Sequence, residues 1–196
     1  MRKRWVALAL LVFLLAGCAA NVPPASVPTT EPEQPTANGF PGLGGVMPEM
    51  TFNIGDGETQ TLSQLLEEKE LVVLNYWFED CPWCVQEFSV MEVSYQRYRQ
   101  DVEVVALNPV DGAEAVEAFQ QRRGLSFLMA ACPRSWAVEC GVRAYPTSIF
   151  IDRDGVVCLI HTGAITTTED WDAIFDTFTG EDYQRRVYGK LDELLR

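Results

Sequence analysis

The sequence predicts an α/β domain in which a mixed β-sheet lies at the centre and helices cover its faces. Three observations lead to this fold class. Strand and helix patterns alternate from residue 47 to residue 195. Two of the strand patterns are continuous apolar runs, as expected for buried parallel strands. The last two strands are joined by a turn sequence typical of an antiparallel hairpin, so the sheet should contain both strand directions.

The first predicted elements are a β-hairpin and a short helix. Residues 50–54 alternate apolar and polar side chains, and residues 55–57 are Gly-Asp-Gly, which predicts a β-hairpin extension. Thr61 or Ser63 is suited to cap a short helix that follows. The remaining predicted elements are strands at 71–78, 102–107, 127–129, 147–151 and 156–161, and helices at 81–99, 113–123, 134–140, 168–178 and 181–195.

Composition narrows the class of protein. The chain has 196 residues, 47% hydrophobic and 22% charged, which suits one domain with short appendages. Its net charge of −13 argues against a nucleic-acid surface. With one His in the chain, a metal site would need to be built almost wholly from cysteine. We therefore expect a monomer without metal or cofactor.

Residues 1–17 have the features of an export signal. Residues 2–4 are basic, and the apolar run at 5–17 is shorter than the roughly 20 residues that a membrane-spanning helix needs. The run ends in Leu-Ala-Gly before Cys18, which resembles the lipobox of bacterial lipoproteins. That resemblance implies cleavage before Cys18 and its lipidation with acyl chains such as palmitate. An ordinary signal peptide and an uncleaved anchor are the alternatives.

Residues 18–46 are rich in proline and glycine and poor in large apolar side chains. Such a segment gains too little from burial to offset its chain entropy, so we expect a disordered tether. The folded domain is then expected to span residues 47–196. It would be held on the extracytoplasmic face of a cell membrane, facing the periplasm where there is one, and the sequence does not identify which membrane.

Redox chemistry is indicated by Cys81-Pro82-Trp83-Cys84, because this pair follows a buried strand and opens a helix. At the helix N-terminus, Cys81 should be exposed and inclined to form a thiolate. It would be the nucleophile, and the more buried Cys84 would resolve the mixed disulfide. Half of a zinc site and a purely structural disulfide are the alternatives.

Two segments resemble the TlpA/ResA-like thioredoxins of the redoxin (AhpC/TSA) superfamily. Residues 75–88, Asn-Tyr-Trp-Phe-Glu-Asp-Cys-Pro-Trp-Cys-Val-Gln-Glu-Phe, resemble their active-site segment. Residues 144–152, Ala-Tyr-Pro-Thr-Ser-Ile-Phe-Ile-Asp, resemble their second signature. The resemblance implies a thioredoxin fold and a membrane-tethered, extracytoplasmic thiol–disulfide oxidoreductase.

The same resemblance implies further site residues. Pro146 should follow a cis peptide bond and lie against the cysteine pair, with Trp83 and Tyr145 helping to bind substrate. Glu87 should lie near the sulfurs, raise the thiol pKa and shuttle a proton; its alternative is a solvated helix glutamate. Asn75 takes the place of the buried Asp of cytoplasmic thioredoxins.

The residues just before Cys81 depart from the family pattern. Glu79 and Asp80 stand where an aromatic residue is common, and their charges would oppose thiolate formation or select basic partners. Because of these two charges, the sequence does not predict the redox potential of the cysteine pair.

Three more cysteines follow the active-site pair. Cys132 and Cys140 are expected to form a second disulfide after export, with a second, regulatory redox pair as the alternative. Cys158 is expected to be a buried core thiol.

These features together predict an enzyme that reduces disulfides of exported proteins. By resemblance, electrons would come from a membrane thiol carrier of the CcdA/DsbD type. The client would be apocytochrome c, as in cytochrome c maturation, or another exported cysteine protein or a methionine sulfoxide reductase. A disulfide-forming oxidase with the same residues, a peroxidase and a non-catalytic binding module are the alternatives.

Overall fold

The computed structural model describes residues 40–55, 57–180 and 183. The expected signal peptide, Cys18 and nearly all of the expected 181–195 helix lie outside the described residues. The strands are β1 Thr51–Asn53, β2 Thr59–Thr61, β3 Leu71–Tyr76, β4 Val102–Asn108, β5 Leu128–Ala131, β6 Thr147–Asp152 and β7 Val157–Thr162. The helices are α1 Leu62–Glu68, α2 Pro82–Tyr98, α3 Ala113–Arg123, α4 Arg134–Glu139 and α5 Thr168–Thr179.

The main sheet has five strands in the order β5-β4-β3-β6-β7. Strands β3, β4 and β5 are parallel neighbours, whereas β6 runs antiparallel to both β3 and β7. Strands β1 and β2 form a separate antiparallel hairpin. This arrangement confirms the expected thioredoxin fold with its mixed sheet and N-terminal hairpin. It also brings the end of β3 beside the start of β6, because Tyr76 pairs with Thr147.

Alternate residues of the central strands pack into two apolar clusters, one for each face of the sheet. Val73 and Trp77 belong to the cluster that also contains apolar side chains of α2 and α5. Val72 and Leu74 belong to the other cluster, with side chains of the hairpin, α1 and α4. Every residue of β3, β4 and β6 is buried, which explains why these strands are apolar at most positions rather than strictly alternating.

Local sequence signals define several helix ends. Thr61 caps α1, and its side chain accepts from the Gln64 backbone amide, so Thr61 rather than Ser63 is the cap. Gly124 ends α3 with a φ of 62°, a left-handed conformation that favours glycine. Thr167 caps α5 through the backbone amide of Asp170.

The expected boundary between tether and domain at residue 47 is too late. Phe40 is only 8% exposed and packs in the cluster of the hairpin face, and its backbone amide donates to Glu139 O at 3.0 Å. The amide of Gly44 donates to Val157 O, and Val46 bridges Val156. The domain therefore includes at least residues 40–46. The proline and glycine residues around Phe40 led to the prediction of a disordered tether, although Phe40 itself is buried.

Among the described residues, every helix is too short or too polar to cross a membrane.

Candidate active site

Cys81 and Cys84 form a disulfide at the start of α2, with their Cα atoms 5.3 Å apart. Cys81 is the N-cap of this helix, and its sulfur accepts from the Cys84 backbone amide at 3.2 Å. Pro82 occupies the first helical turn, where its missing N–H costs little. The sulfur of Cys81 thus lies at the positive end of a 17-residue helix dipole. That position favours a thiolate once the disulfide is reduced.

The two sulfurs are less accessible than the sequence predicts. Cys81 is 4% exposed and Cys84 is fully buried, so Cys84 is the deeper of the two but the expected exposure of Cys81 is wrong. Both cysteines belong to the apolar cluster on the α2 face of the sheet, and Phe78 and Tyr145 pack against that cluster. Their rings meet edge to face at 5.3 Å. Trp83, by contrast, is 61% exposed directly beside Cys84 in the chain.

Glu87 is fully buried on the sheet-facing side of α2, three residues after Cys84. Its Oε1 accepts from the Ile165 backbone amide, and its Oε2 accepts from Asn75 Nδ2, both at 2.9 Å. Burial raises the pKa of Glu87 to about 7, and the two hydrogen bonds only partly oppose that rise. The alternative of a solvated helix glutamate is therefore wrong. An acid with this pKa exchanges protons near neutral pH.

The hydrogen-bond network around Glu87 includes two residues, Ser148 and Ile165, that the sequence did not identify. Asn75 donates its second N–H to Ser148 Oγ at 2.9 Å. The two residues pair directly across β3 and β6, so a correct strand register would have revealed the contact. Ile165 lies in the segment before α5 and contributes a backbone amide, for which the side-chain pattern gives no signal.

The peptide bond between Tyr145 and Pro146 is cis, in agreement with the expectation from the resemblance. Pro146 is buried and immediately precedes β6. Its carbonyl oxygen accepts from the Gly163 amide at 2.9 Å, and Thr147 Oγ1 donates to Ala144 O at 2.8 Å. These bonds fix the loop at the same end of the sheet as the cysteine pair.

A second network surrounds the acidic residues before Cys81. Arg122 Nη2 lies 2.7 Å from Glu79 Oε1, and the Glu79 backbone amide donates to Asp111 Oδ2 at 2.8 Å. Asp80 is exposed. One of the two charges that precede Cys81 is therefore paired, a relationship that the sequence did not reveal because Arg122 lies 43 residues further along the chain.

Cys132 and Cys140 are half-buried free thiols in the structure, where the sequence predicts a second disulfide. Burial raises the pKa of both, that of Cys132 to about 12, and Cys140 is close enough to add to the rise at Cys132. Tyr76 donates its hydroxyl to Cys140 Sγ at 3.2 Å. Cys158 is a third half-buried thiol, and burial raises its pKa to about 12.

The described residues contain no group of three or more His, Cys, Asp or Glu side chains arranged to hold a metal ion.

Fold and site together define a thioredoxin-fold protein with a C-x-x-C disulfide at a helix N-terminus and a buried acid beside it. Within that class, the chain belongs to the Redoxin family, whose model matches residues 43–174.

Curated relatives and solved structures agree with this assignment. The thiol-disulfide oxidoreductase ResA of Halalkalibacterium halodurans is 35% identical over 57% of this chain and 63% of its own length. The thioredoxin-like protein YneN of Bacillus subtilis is 28% identical over 86% of this chain and 95% of its own. A thiol:disulfide interchange protein of Chlorobium tepidum has the same fold, with a TM-score of 0.61 at 20% identity over 74% of this chain and 99% of its own. The two relatives agree with the Redoxin assignment, this chain spans less than two thirds of the ResA sequence, and the solved structure shows the same fold.

Proposed function

We propose that this protein is an extracytoplasmic thiol–disulfide oxidoreductase that reduces disulfides of exported partner proteins. The observation that carries the proposal is the Cys81–Cys84 disulfide at the N-terminus of α2, three residues before a buried acid, Glu87. A structural disulfide would not need a buried carboxyl of raised pKa beside it. That combination is typical of a pair that gains and loses protons as it cycles.

The reaction begins with the reduced pair. The Cys81 thiolate attacks one sulfur of the client disulfide, forms a mixed disulfide and releases the first client sulfur as a thiolate, which takes a proton from water. Cys84 then attacks the Cys81 sulfur and releases the second client thiol. Two electrons pass to the client, and Cys81–Cys84 ends as the disulfide.

Glu87 acts in the second step. Cys84 is fully buried and attacks well only as a thiolate, so its proton needs a nearby acceptor. The ionised Glu87 carboxylate takes that proton, and its pKa of about 7 allows it to do so at neutral pH and to release the proton later.

We expect the client to bind beside the cysteine pair, against Trp83, Tyr145 and Pro146. Trp83 is exposed next to Cys84 in the chain. The cis bond between Tyr145 and Pro146 precedes β6 at the end of the sheet from which β3 leads to Cys81. An exposed tryptophan offers a large apolar contact with little loss of side-chain entropy. Trp83→Ala should therefore weaken client binding while leaving reduction by a small dithiol almost unchanged.

The direction of electron flow is decided by the redox potential of the pair. A midpoint near thioredoxin's, about −270 mV, supports a reductase, and one nearer about −120 mV would make the same residues a disulfide-forming oxidase. Electrons for a reductase would come from a membrane thiol carrier of the CcdA/DsbD type. Apocytochrome c and methionine sulfoxide reductase are the client classes that the resemblance to TlpA/ResA-like proteins favours.

The test is a trapping experiment in cells. Cys84→Ala should accumulate mixed disulfides through Cys81, because the resolving step is blocked. Cys158→Ala is the matched control, since it removes a half-buried thiol away from the pair. The double variant Cys81→Ala/Cys84→Ala should trap nothing. A Cys84→Ala protein that captures no client while retaining its function would favour the binding module, and rapid peroxide consumption would favour a peroxidase.

A further inference from the structure

The side-chain amide of Asn75 has an unusual set of partners. Both of its N–H groups are used, one on Glu87 Oε2 and one on Ser148 Oγ, each at 2.9 Å. Its oxygen, Oδ1, is buried, and no described residue donates to it. The two N–H bonds therefore hold this amide in place, and they link Glu87 to Ser148 through Asn75.

The bond from Asn75 favours the ionised form of Glu87. Both carboxylate oxygens of Glu87 accept hydrogen bonds, from the Ile165 amide and from Asn75. Donors to a carboxylate stabilise its charge, and here they oppose the effect of burial. A protonated carboxyl keeps acceptor capacity on both oxygens, so Asn75 retains its orientation when Glu87 takes up a proton.

Ser148 fixes the position of this donor. Its Oγ accepts the second N–H of Asn75 at 2.9 Å, and the two residues pair directly across β3 and β6. A half-turn of the amide would break both N–H bonds, so the observed orientation keeps one N–H on Glu87 Oε2.

We propose that Asn75, held by Ser148, is a positioning residue that keeps an N–H donor on Glu87 and favours the ionised form of this acid. This inference rests on the proposed role of Glu87 as proton acceptor.

Among the side chains around Glu87, the Asn75 amide acts most directly on its ionisation. Asn75 faces it from β3, Ile165 from the segment before α5, and the Cys81–Cys84 disulfide lies on its own helix. Within the described part of the chain, no charged side chain contributes to its pKa shift; the causes are burial and the two hydrogen bonds. A charge at position 75 would thus act on Glu87 without compensation.

The first experiment titrates the unmodified full chain in its disulfide form, where neither Cys81 nor Cys84 titrates. In ¹⁵N-labelled protein, the side-chain amide signals of Asn75 should shift with a midpoint near pH 7 as Glu87 gains its proton. Signals that stay constant between pH 5 and pH 9 would overturn the proposed contact.

The second experiment compares pH–rate profiles for reduction of a model disulfide peptide. Asn75→Leu removes the donor that favours the ionised acid, so the inflection should move up by about one pH unit, a roughly tenfold loss of rate below it. Ser148→Ala should move the inflection in the same direction by less. Ser94→Ala is the matched control, because this buried serine bonds Thr168 O instead, and it should leave the inflection in place.

Glu87→Gln separates the two proposals. If it abolishes the inflection while Asn75→Leu leaves the wild-type profile unchanged, the proton role of Glu87 stands and the positioning role of Asn75 is overturned. If Glu87→Gln itself keeps the wild-type profile, the proposed proton transfer fails. Should Asn75→Leu not fold, the ¹⁵N titration of the unmodified chain still decides the question.

Discussion

Arg122 of α3 and Glu79 of the loop before Cys81 form an ion pair with 2.7 Å between Nη2 and Oε1. Arg122 also lies over the Phe119 ring, with its guanidinium carbon 5.9 Å from the ring centre, and the neighbouring Arg123 lies over the same ring at 5.5 Å. The two arginines thus share one aromatic contact. They differ in charge pairing, because among the ion pairs of the described residues Glu79 pairs with Arg122 and not with Arg123.

This difference gives a matched test of the charge near the nucleophile. Arg122→Ala should leave Glu79 unpaired and make the reduced Cys81 slightly less inclined to form a thiolate, a modest change because the ion pair is solvent-exposed. Thiolate absorbance of the reduced protein against pH measures it. Arg123→Ala should have little effect, and an equal shift in both variants would assign the effect to Phe119 packing rather than to charge.

The buried acid should make the protein less stable as pH rises. The pKa of Glu87 is about 7 in the fold against an ordinary value of 4.5, so the folded state binds the proton more tightly than the unfolded state. Stability is therefore unaffected below about pH 4.5, falls as the pH rises towards 7, and is reduced by about 3 kcal/mol above that.

Glu87→Gln removes this penalty, so thermal unfolding of the variant should lose the fall in stability between pH 5 and pH 8 that the wild type shows. Glu92→Gln, at a half-buried position on the same helix, is the control. A wild-type fall that persists in Glu87→Gln would mean that another group is responsible.

The half-buried thiols Cys132 and Cys140 are predicted to join when the protein is folded under oxidising conditions. Closing this short loop should raise stability by roughly 2–3 kcal/mol, and Tyr76 would lose its thiol partner. Mass analysis of a non-reduced digest should find the two peptides linked, with Cys158 alkylated as a free thiol. If all three cysteines are alkylated, Cys132 and Cys140 are separate thiols and the predicted disulfide is wrong.

Phe40 should contribute to stability even though it lies in a proline- and glycine-rich stretch. Phe40→Ala should reduce the free energy of unfolding by up to about 3 kcal/mol, since a buried aromatic side chain is lost. Leu43→Ala provides the control, because Leu43 is 69% exposed, and it should change stability very little. If both variants lose the same stability, Phe40 is not the residue that attaches this segment to the domain.

Cys18 is predicted to carry the lipid anchor. Cys18→Ser should shift the protein from the membrane fraction to the soluble extracytoplasmic fraction of cells and abolish labelling by a palmitate analogue, because acyl chains supply the membrane affinity. Cys158→Ser should remain membrane-bound. A Cys18→Ser protein that stays with the membrane would indicate an uncleaved N-terminal anchor instead.

The sequence predicted the fold well because its signals were local. Periodicity located the strands and helices, Gly124 marked the end of α3, and the turn before β7 identified the antiparallel hairpin. The active-site disulfide and the cis bond before Pro146 were expected from two short motifs. Each of these features depends on residues that are neighbours in the chain.

The remaining site features depend on contacts between distant segments. Ser148 is recognisable as a partner of Asn75 only when the β3–β6 register is known. Ile165 acts through a backbone amide, and the burial of Cys81 depends on an apolar cluster built from several segments of the chain. Residue types alone carry little information about such contacts, which explains why the exposure of Cys81 and the start of the domain were mispredicted.

The hydrogen bond between Glu87 and Ile165 joins residues 78 positions apart. Folding must close this long loop before the acid is buried, so the contact belongs to the slow, non-local part of assembly. Until then, Glu87 behaves as an ordinary solvated carboxyl and Cys81 and Cys84 as a dithiol on a flexible peptide. A nascent or partly unfolded chain thus carries the motif without its adjusted chemistry, and the reactivity of the pair would report whether the molecule has completed its fold.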